Sequence, residues 1–194
     1  MRLKIVQAGE AALRSRAREL SGDEIRSPEI RRLIDWMRET MRDAPGVGLA
    51  APQVGLSLQL AVIEDPADLQ KAIAPERLAE RDRRPVPFHV IINPVLTLDG
   101  ETAEFFEGCL SVAGFTAIVP RALRARVECL DEHGKPVSIA AEGWYARILQ
   151  HEIDHLEGAL YLDRMHSRSF MTVDHLTRHW NDLPIAEVKH RLGV

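Results

Sequence analysis

Gln150-His151-Glu152-Ile153-Asp154-His155-Leu156-Glu157-Gly158 is the stretch on which the reading of this chain turns. On a helix of 3.6 residues per turn, His151 and His155 lie ~40° apart, so both imidazoles reach one ion. Glu152 points ~100° away from His151, near that ion yet free to handle protons. The same stripe runs upstream through Ile148 and Trp144 at helical spacing. The wall beside the histidines is therefore apolar and suits an apolar substrate side chain. Leu149, Ile153 and Leu156 bury the helix, which is predicted over about 143–157, with Gly158 just past its end.

Two histidines do not complete a metal site; a third protein ligand is needed. In a metzincin it would be a His six residues after His155, but Tyr161 stands there. Glu187, in the tail, is a poor distant carboxylate. Cys109, in Glu107-Gly108-Cys109-Leu110-Ser111, is the better candidate. The competing reading of a single Cys is a small buried apolar residue, and Cys129, inside a predicted strand, takes that reading. Chance is the competing reading of the helix motif itself: an amphipathic helix with exposed histidines and a solvated Glu.

Outward from this helix the chain reads as α+β. Ser27-Pro28 opens a helix whose apolar residues Ile30, Leu33, Ile34, Met37 and Met41 keep helical spacing to about Asp43. The Gly-rich stretch Gly46–Gly55 precedes a strand at 58–63. Residues 65–87, rich in proline and charge, read as a surface excursion with one helical turn around 75–81. A second strand starts at Phe88 and is expected to end where Asp99-Gly100 turns the chain. Residues 126–130 and 135–139 flank Asp131-Glu132-His133-Gly134 as a hairpin. Strands joined by hairpins, with separate helices, predict antiparallel sheet rather than βαβ alternation. The expected boundaries are a catalytic domain at 1–165 and a helical tail of the same domain at 166–194.

Composition narrows the function classes. Among 194 residues, 45% are hydrophobic and 28% charged, which excludes a disordered polar chain. A net charge of −4 argues against a general nucleic-acid coat and predicts no sequence-specific nucleic-acid partner. Two cysteines make no disulfide framework, no apolar run approaches membrane-helix length, and no signal-like or transit-like leader is seen. The expected setting is a reducing bacterial cytoplasm, with no membrane partner. The Gly-rich run matches neither G-x-x-x-x-G-K-[ST] nor G-x-G-x-x-G, so phosphate binding is not expected.

Three stretches, in this order, resemble the peptide deformylase family: Gly46-Val47-Gly48-Leu49-Ala50-Ala51-Pro52-Gln53, Glu107-Gly108-Cys109-Leu110-Ser111 and Gln150–Gly158. Ile5-Val6-Gln7 and Leu13-Arg14 resemble the family's opening, so the likeness spans about 3–165. Ala113 stands where many bacterial members have Pro. Ala113-Gly114-Phe115, Val119-Pro120-Arg121 and the 65–87 excursion look closest to the mitochondrial and α-proteobacterial branch.

The resemblance implies antiparallel strands packed around a central metal-binding HExxH helix. It implies an enzyme that removes the formyl group from the N-terminal formylmethionine of nascent polypeptides and releases formate. Cys109, His151 and His155 would hold a divalent cation, Fe²⁺ by family, with Zn²⁺, Ni²⁺ or Co²⁺ able to substitute. Glu152 would be the acid–base, and the Gln53 amide and Leu110 N–H would receive the oxyanion. Gly48 would let backbone pass close to the substrate. Val47, Gly108, Trp144 and Ile148 would line the substrate site. A nascent-chain substrate implies transient meeting with the ribosome. The rival readings are a general metalloprotease and a binding paralogue without chemistry. The former is disfavoured by Tyr161 and the latter by the presence of both Glu152 and Cys109.

Overall fold

Helix α2, Pro28–Asp43, begins where Ser27 caps it: the Ser27 hydroxyl accepts the Ile30 N–H at 3.3 Å, and Pro28 occupies the first turn. The computed structural model describes residues 1–194. Before α2 comes the short helix α1, Gly22–Arg26. After it come β1 (Gly48–Ala50), β2 (Leu60–Asp65), helices α3 (Ala67–Gln70) and α4 (Pro75–Glu80), β3 (Val86–Cys109), β4 (Val112–Leu130), β5 (Pro136–Glu142) and helix α5 (Gly143–Leu156). The C-terminal segment adds β6 (Met171–Thr172), α6 (Val173–His179) and α7 (Ile185–Leu192). No helix is long and apolar enough to cross a membrane.

All pairings between these strands are antiparallel, in the order β1-β2-β3-β4-β5, and β6 joins β4. Side chains alternate across a strand. On one face of the sheet Leu60, Val62, Val90 and Ile92 pack against Leu33, Ile34, Met37 and Met41 of α2. On the other, Ala61, Ile63, Ile91 and Val127 pack against Ile148, Leu149, Ile153 and Leu156 of α5. Helices on both faces explain why 60–63 and 90–92 read as unbroken apolar runs. The helix carrying the two histidines is thus central, as the fold class α+β with strands around an HExxH helix requires.

The expected turn at Asp99-Gly100 is corrected by the structure. β3 runs straight through it, with Gly100 at φ +85° and a register shift between Asp99 and Thr102. A glycine in the left-handed region serves a β-bulge as well as a turn, and nothing local separates the two. The chain actually reverses at Leu110-Ser111, where Cys109 pairs with Val112. The 126–130/135–139 hairpin is present, as are the tail helices. The excursion holds two short helices rather than one turn.

Candidate active site

Helix α5 places the His151 and His155 rings 5.0 Å apart, steeply inclined to each other. The β3–β4 reversal brings Cys109 alongside, its Sγ 3.3 Å from His155 Nε2. One ligating atom from each of Cys109, His151 and His155 lies within 4.8 Å of the other two. Metal–ligand bonds of about 2.0–2.3 Å around a tetrahedral ion put ligand atoms roughly 3.3–3.8 Å apart. The Cys109–His155 spacing fits one such edge, and one thiolate with two imidazoles suits a borderline divalent ion. Tyr161, where a metzincin has its third His, lies buried with its ring nearly parallel to that of His151 at 6.5 Å. It packs against the site rather than joining the ligand set.

Glu107 fixes the His151 ring. Its Oε2 accepts the His151 Nδ1–H at 3.1 Å, which leaves Nε2 free to ligate. Burial alone would raise this carboxyl. Hydrogen bonds from His151 and Arg121, together with the Arg121 charge, hold it well below the usual carboxylate range. Arg121 donates to both Glu107 oxygens at 2.9 and 3.0 Å and to Asp154 at 2.5 Å. Arg147 donates to Glu107 at 2.7 Å and to the carbonyls of Val119 and Ala103. Asp154, between the histidines, is therefore a structural partner. Sequence reasoning did not place Glu107 against Arg121, and it missed Arg147. Its one signal was a charged residue on a helix flanked by the buried Ala146 and Ile148.

Glu152 is buried, and its Oε2 meets no hydrogen-bond partner. Burial pushes its carboxyl up to about 7, against the pull of His151. The strand β1 passes directly over it: a Cβ on Gly48 would stand 2.1 Å from Glu152 Oε1. Glycine is needed here for close approach rather than for an unusual φ. Gln53 is oriented by the Ala50 N–H, which donates to its Oε1 at 2.9 Å, so that Nε2 faces Cys109 Sγ and Ser111 Oγ at 3.5 and 3.3 Å. Gln7, from the N-terminal segment, donates to the Leu110 carbonyl and accepts the Ala113 N–H, clamping the turn from outside. The Leu110 N–H donates to no group of the protein.

An open cleft of about 510 Å³ lies above these groups. Val47, Gly48, Gln53, Gly108, Cys109 and Leu110 line it, together with Trp144, Ile148, His151 and Glu152 from α5. His155 lies deeper, beneath the lining. Every residue that the sequence singled out for this site converges here. Phe115 and Val173 also line the cleft. No sequence signal pointed to the second, because its position depends on how the tail packs.

The family model described as polypeptide deformylase matches residues 2–170. A chloroplastic peptide deformylase 1A of Solanum lycopersicum is 47% identical over 191 residues, which is 98% of this chain and 67% of that protein. The mitochondrial peptide deformylase of Homo sapiens is 41% identical over 170 residues, 87% of this chain and 70% of the relative. A class I type b peptide deformylase from Acinetobacter baumannii, solved with Met-Ala-Ser bound, superposes with a TM-score of 0.75 at 33% identity. That likeness covers 85% of this chain and 99% of the other. With its cysteine and two histidines gathered under a cleft that Glu152 and Gln53 also line, the chain belongs to the peptide deformylase family.

Proposed function

We propose that Cys109, His151 and His155 hold the divalent cation of this metal-dependent hydrolase and that Glu152 moves the protons. The reaction is removal of the formyl group from the N-terminal formylmethionine of a nascent polypeptide, with release of formate. The observation that carries the assignment is the meeting of the Cys109–His155 contact with an unpartnered, buried Glu152 carboxylate in one cleft.

A divalent ion bound there supplies Lewis acidity and brings the pKa of a coordinated water toward neutrality. Glu152 takes the proton of the attacking water and returns one to the departing amine. Its raised carboxyl sits where a group exchanging protons near neutral pH is most effective. The Gln53 Nε2–H and the Leu110 N–H, the first oriented by Ala50 and the second without an internal acceptor, donate to the oxygen that gains charge. Val47, Trp144 and Ile148 enclose the methionine side chain, and Gly48 and Gly108 let the substrate backbone lie close to the site. Fe²⁺ is the physiological ion, with Zn²⁺, Ni²⁺ or Co²⁺ able to substitute, as the mixed thiolate–imidazole donor set allows. Residues 1–165 form the catalytic body, and 166–194 are a tail of the same domain. The enzyme works in the cytoplasm and meets the ribosome transiently. Two unpaired thiols and the nature of the substrate support this setting.

Protein loaded with Fe²⁺ under anaerobic conditions is expected to release formate from formyl-Met-Ala-Ser and to leave internal peptide bonds intact. Cys109→Ser should lose both bound metal and formate release, while Cys129→Ser keeps both. Equal metal loss in the two variants overturns the ligand assignment.

A further inference from the structure

At about 510 Å³ the cleft has the size of a drug-sized ligand site, more than a formyl-methionyl group fills. Besides Trp144 and Ile148 it has a second apolar surface, made by Phe115 of β4 and Val173 of the C-terminal segment. Both are large apolar residues left open to solvent, 40% and 44% exposed.

This surface is built rather than incidental. Ser169, fully buried, accepts the Ile118 N–H at 2.8 Å and donates to the His166 carbonyl, while the His166 N–H donates to the Ile118 carbonyl at 2.9 Å. Those bonds seat β6 on β4, with Thr172 opposite Phe115. Phe170 stacks on Phe115 with ring centroids 5.0 Å apart and planes within 7°. The Thr172 hydroxyl then accepts the His175 N–H and starts α6, so Val173 is held at the cleft by its backbone. Arg83 also edges the cleft, but buried Asp65 accepts two of its N–H groups at 2.8 and 2.9 Å, which cancels its charge there.

We propose that Val173, held beside Phe115, is a specificity residue: the two form an apolar shelf for the side chain of a residue that follows the formylmethionine. The C-terminal segment thereby reads the substrate, a conclusion that rests on the deformylase reading above. Successive residues of an extended peptide point to opposite sides, so the shelf reads one of the two following positions and not both.

The test compares kcat/KM for formyl-Met-X-Ala and formyl-Met-Ala-X amides, with X either Leu or Asn. Wild-type enzyme is expected to prefer Leu about five- to tenfold at one position, as partial burial of a leucine on a half-open surface implies. In Val173→Asp and Phe115→Ser that preference should fall below about twofold, and Val173→Ile should retain it. A merely structural role would lower turnover of the Leu and Asn peptides together and leave their ratio unchanged. Absence of a Leu preference at both positions, or its survival in Val173→Asp, overturns the proposal while deformylation itself stands. Failure of wild type to deformylate any of these peptides removes the reading beneath it, and the proposal with it.

Discussion

α2 and α5, 16 and 14 residues long, cover opposite faces of one sheet and treat charge in opposite ways. The charged side chains of α2 lie in water, and its ion pairs Arg32–Glu29 and Arg38–Asp35 are exposed. α5 buries Arg147, Glu152, Asp154 and His155. Most of that charge is matched: Arg147 by Glu107, and Asp154 by Arg121 and Arg164. Exposed pairs contribute little, whereas a buried pair that loses one member leaves a costly stranded charge. Three buried polar atoms of α5 nonetheless lack any partner: Trp144 Nε1, Glu152 Oε2 and His155 Nδ1. α2 has none. Trp144 and Glu152 line the cleft and His155 lies beneath it, so the difference between the helices separates an element that only packs from one that also lines the cleft.

The contrast breaks most readily at Arg121. Arg121→Met removes the one cation shared by the buried Glu107 and Asp154, leaving Glu107 to Arg147 and His151 and Asp154 to Arg164, and should cost about 3–5 kcal/mol in urea unfolding of the metal-free protein. Arg32→Ala on α2 should stay within about 0.5 kcal/mol. Comparable losses would show that burial of charge is not what distinguishes α5.

Glu152→Gln sharpens the contrast. It should lower kcat at least ~100-fold, about 2.7 kcal/mol of barrier, by removing proton transfer. Metal content and melting temperature should hold, because the carboxylate oxygen it replaces had no partner to lose. A variant with near wild-type turnover would take Glu152 out of the chemistry.

The smallest effect is on pH dependence. Glu107 is held below its unfolded pKa, so the stability it contributes is fully present above about pH 4.3 and is lost as pH falls below that. In metal-free protein, the stability gap between wild type and Glu107→Gln should narrow by up to about 1.4 kcal/mol per pH unit below pH 4.3. A gap that stays constant from pH 7 to pH 3 would mean that Glu107 is not held as a charged partner of Arg121 and His151.

Both long helices were readable from the chain because their signals are local. Ser27-Pro28 and the apolar spacing of 30–41 mark α2, and the histidine stripe with Gly158 marks α5. Asp99-Gly100 misled for an equally local reason: a glycine at φ +85° has the same signature in a bulge as in a turn. Phe115 carries no mark of its own, and its role depends on Phe170 and Thr172 arriving from the far end of the chain.

By itself the sequence determined the two helices, the antiparallel character of the sheet, and the residue types from which a metal site could be assembled. Periodicity and capping act between near neighbours and need no knowledge of the fold. Tertiary structure decided which groups meet. The register of β3 with β4 carries Cys109 to His155 and Glu107 to His151, and the approach of β1 sets Gly48 over Glu152. Ser169 pins the tail so that Val173 reaches the cleft. These contacts join residues dozens of positions apart. They depend on strand register and on the packing of two helices about a common sheet, which no local pattern specifies.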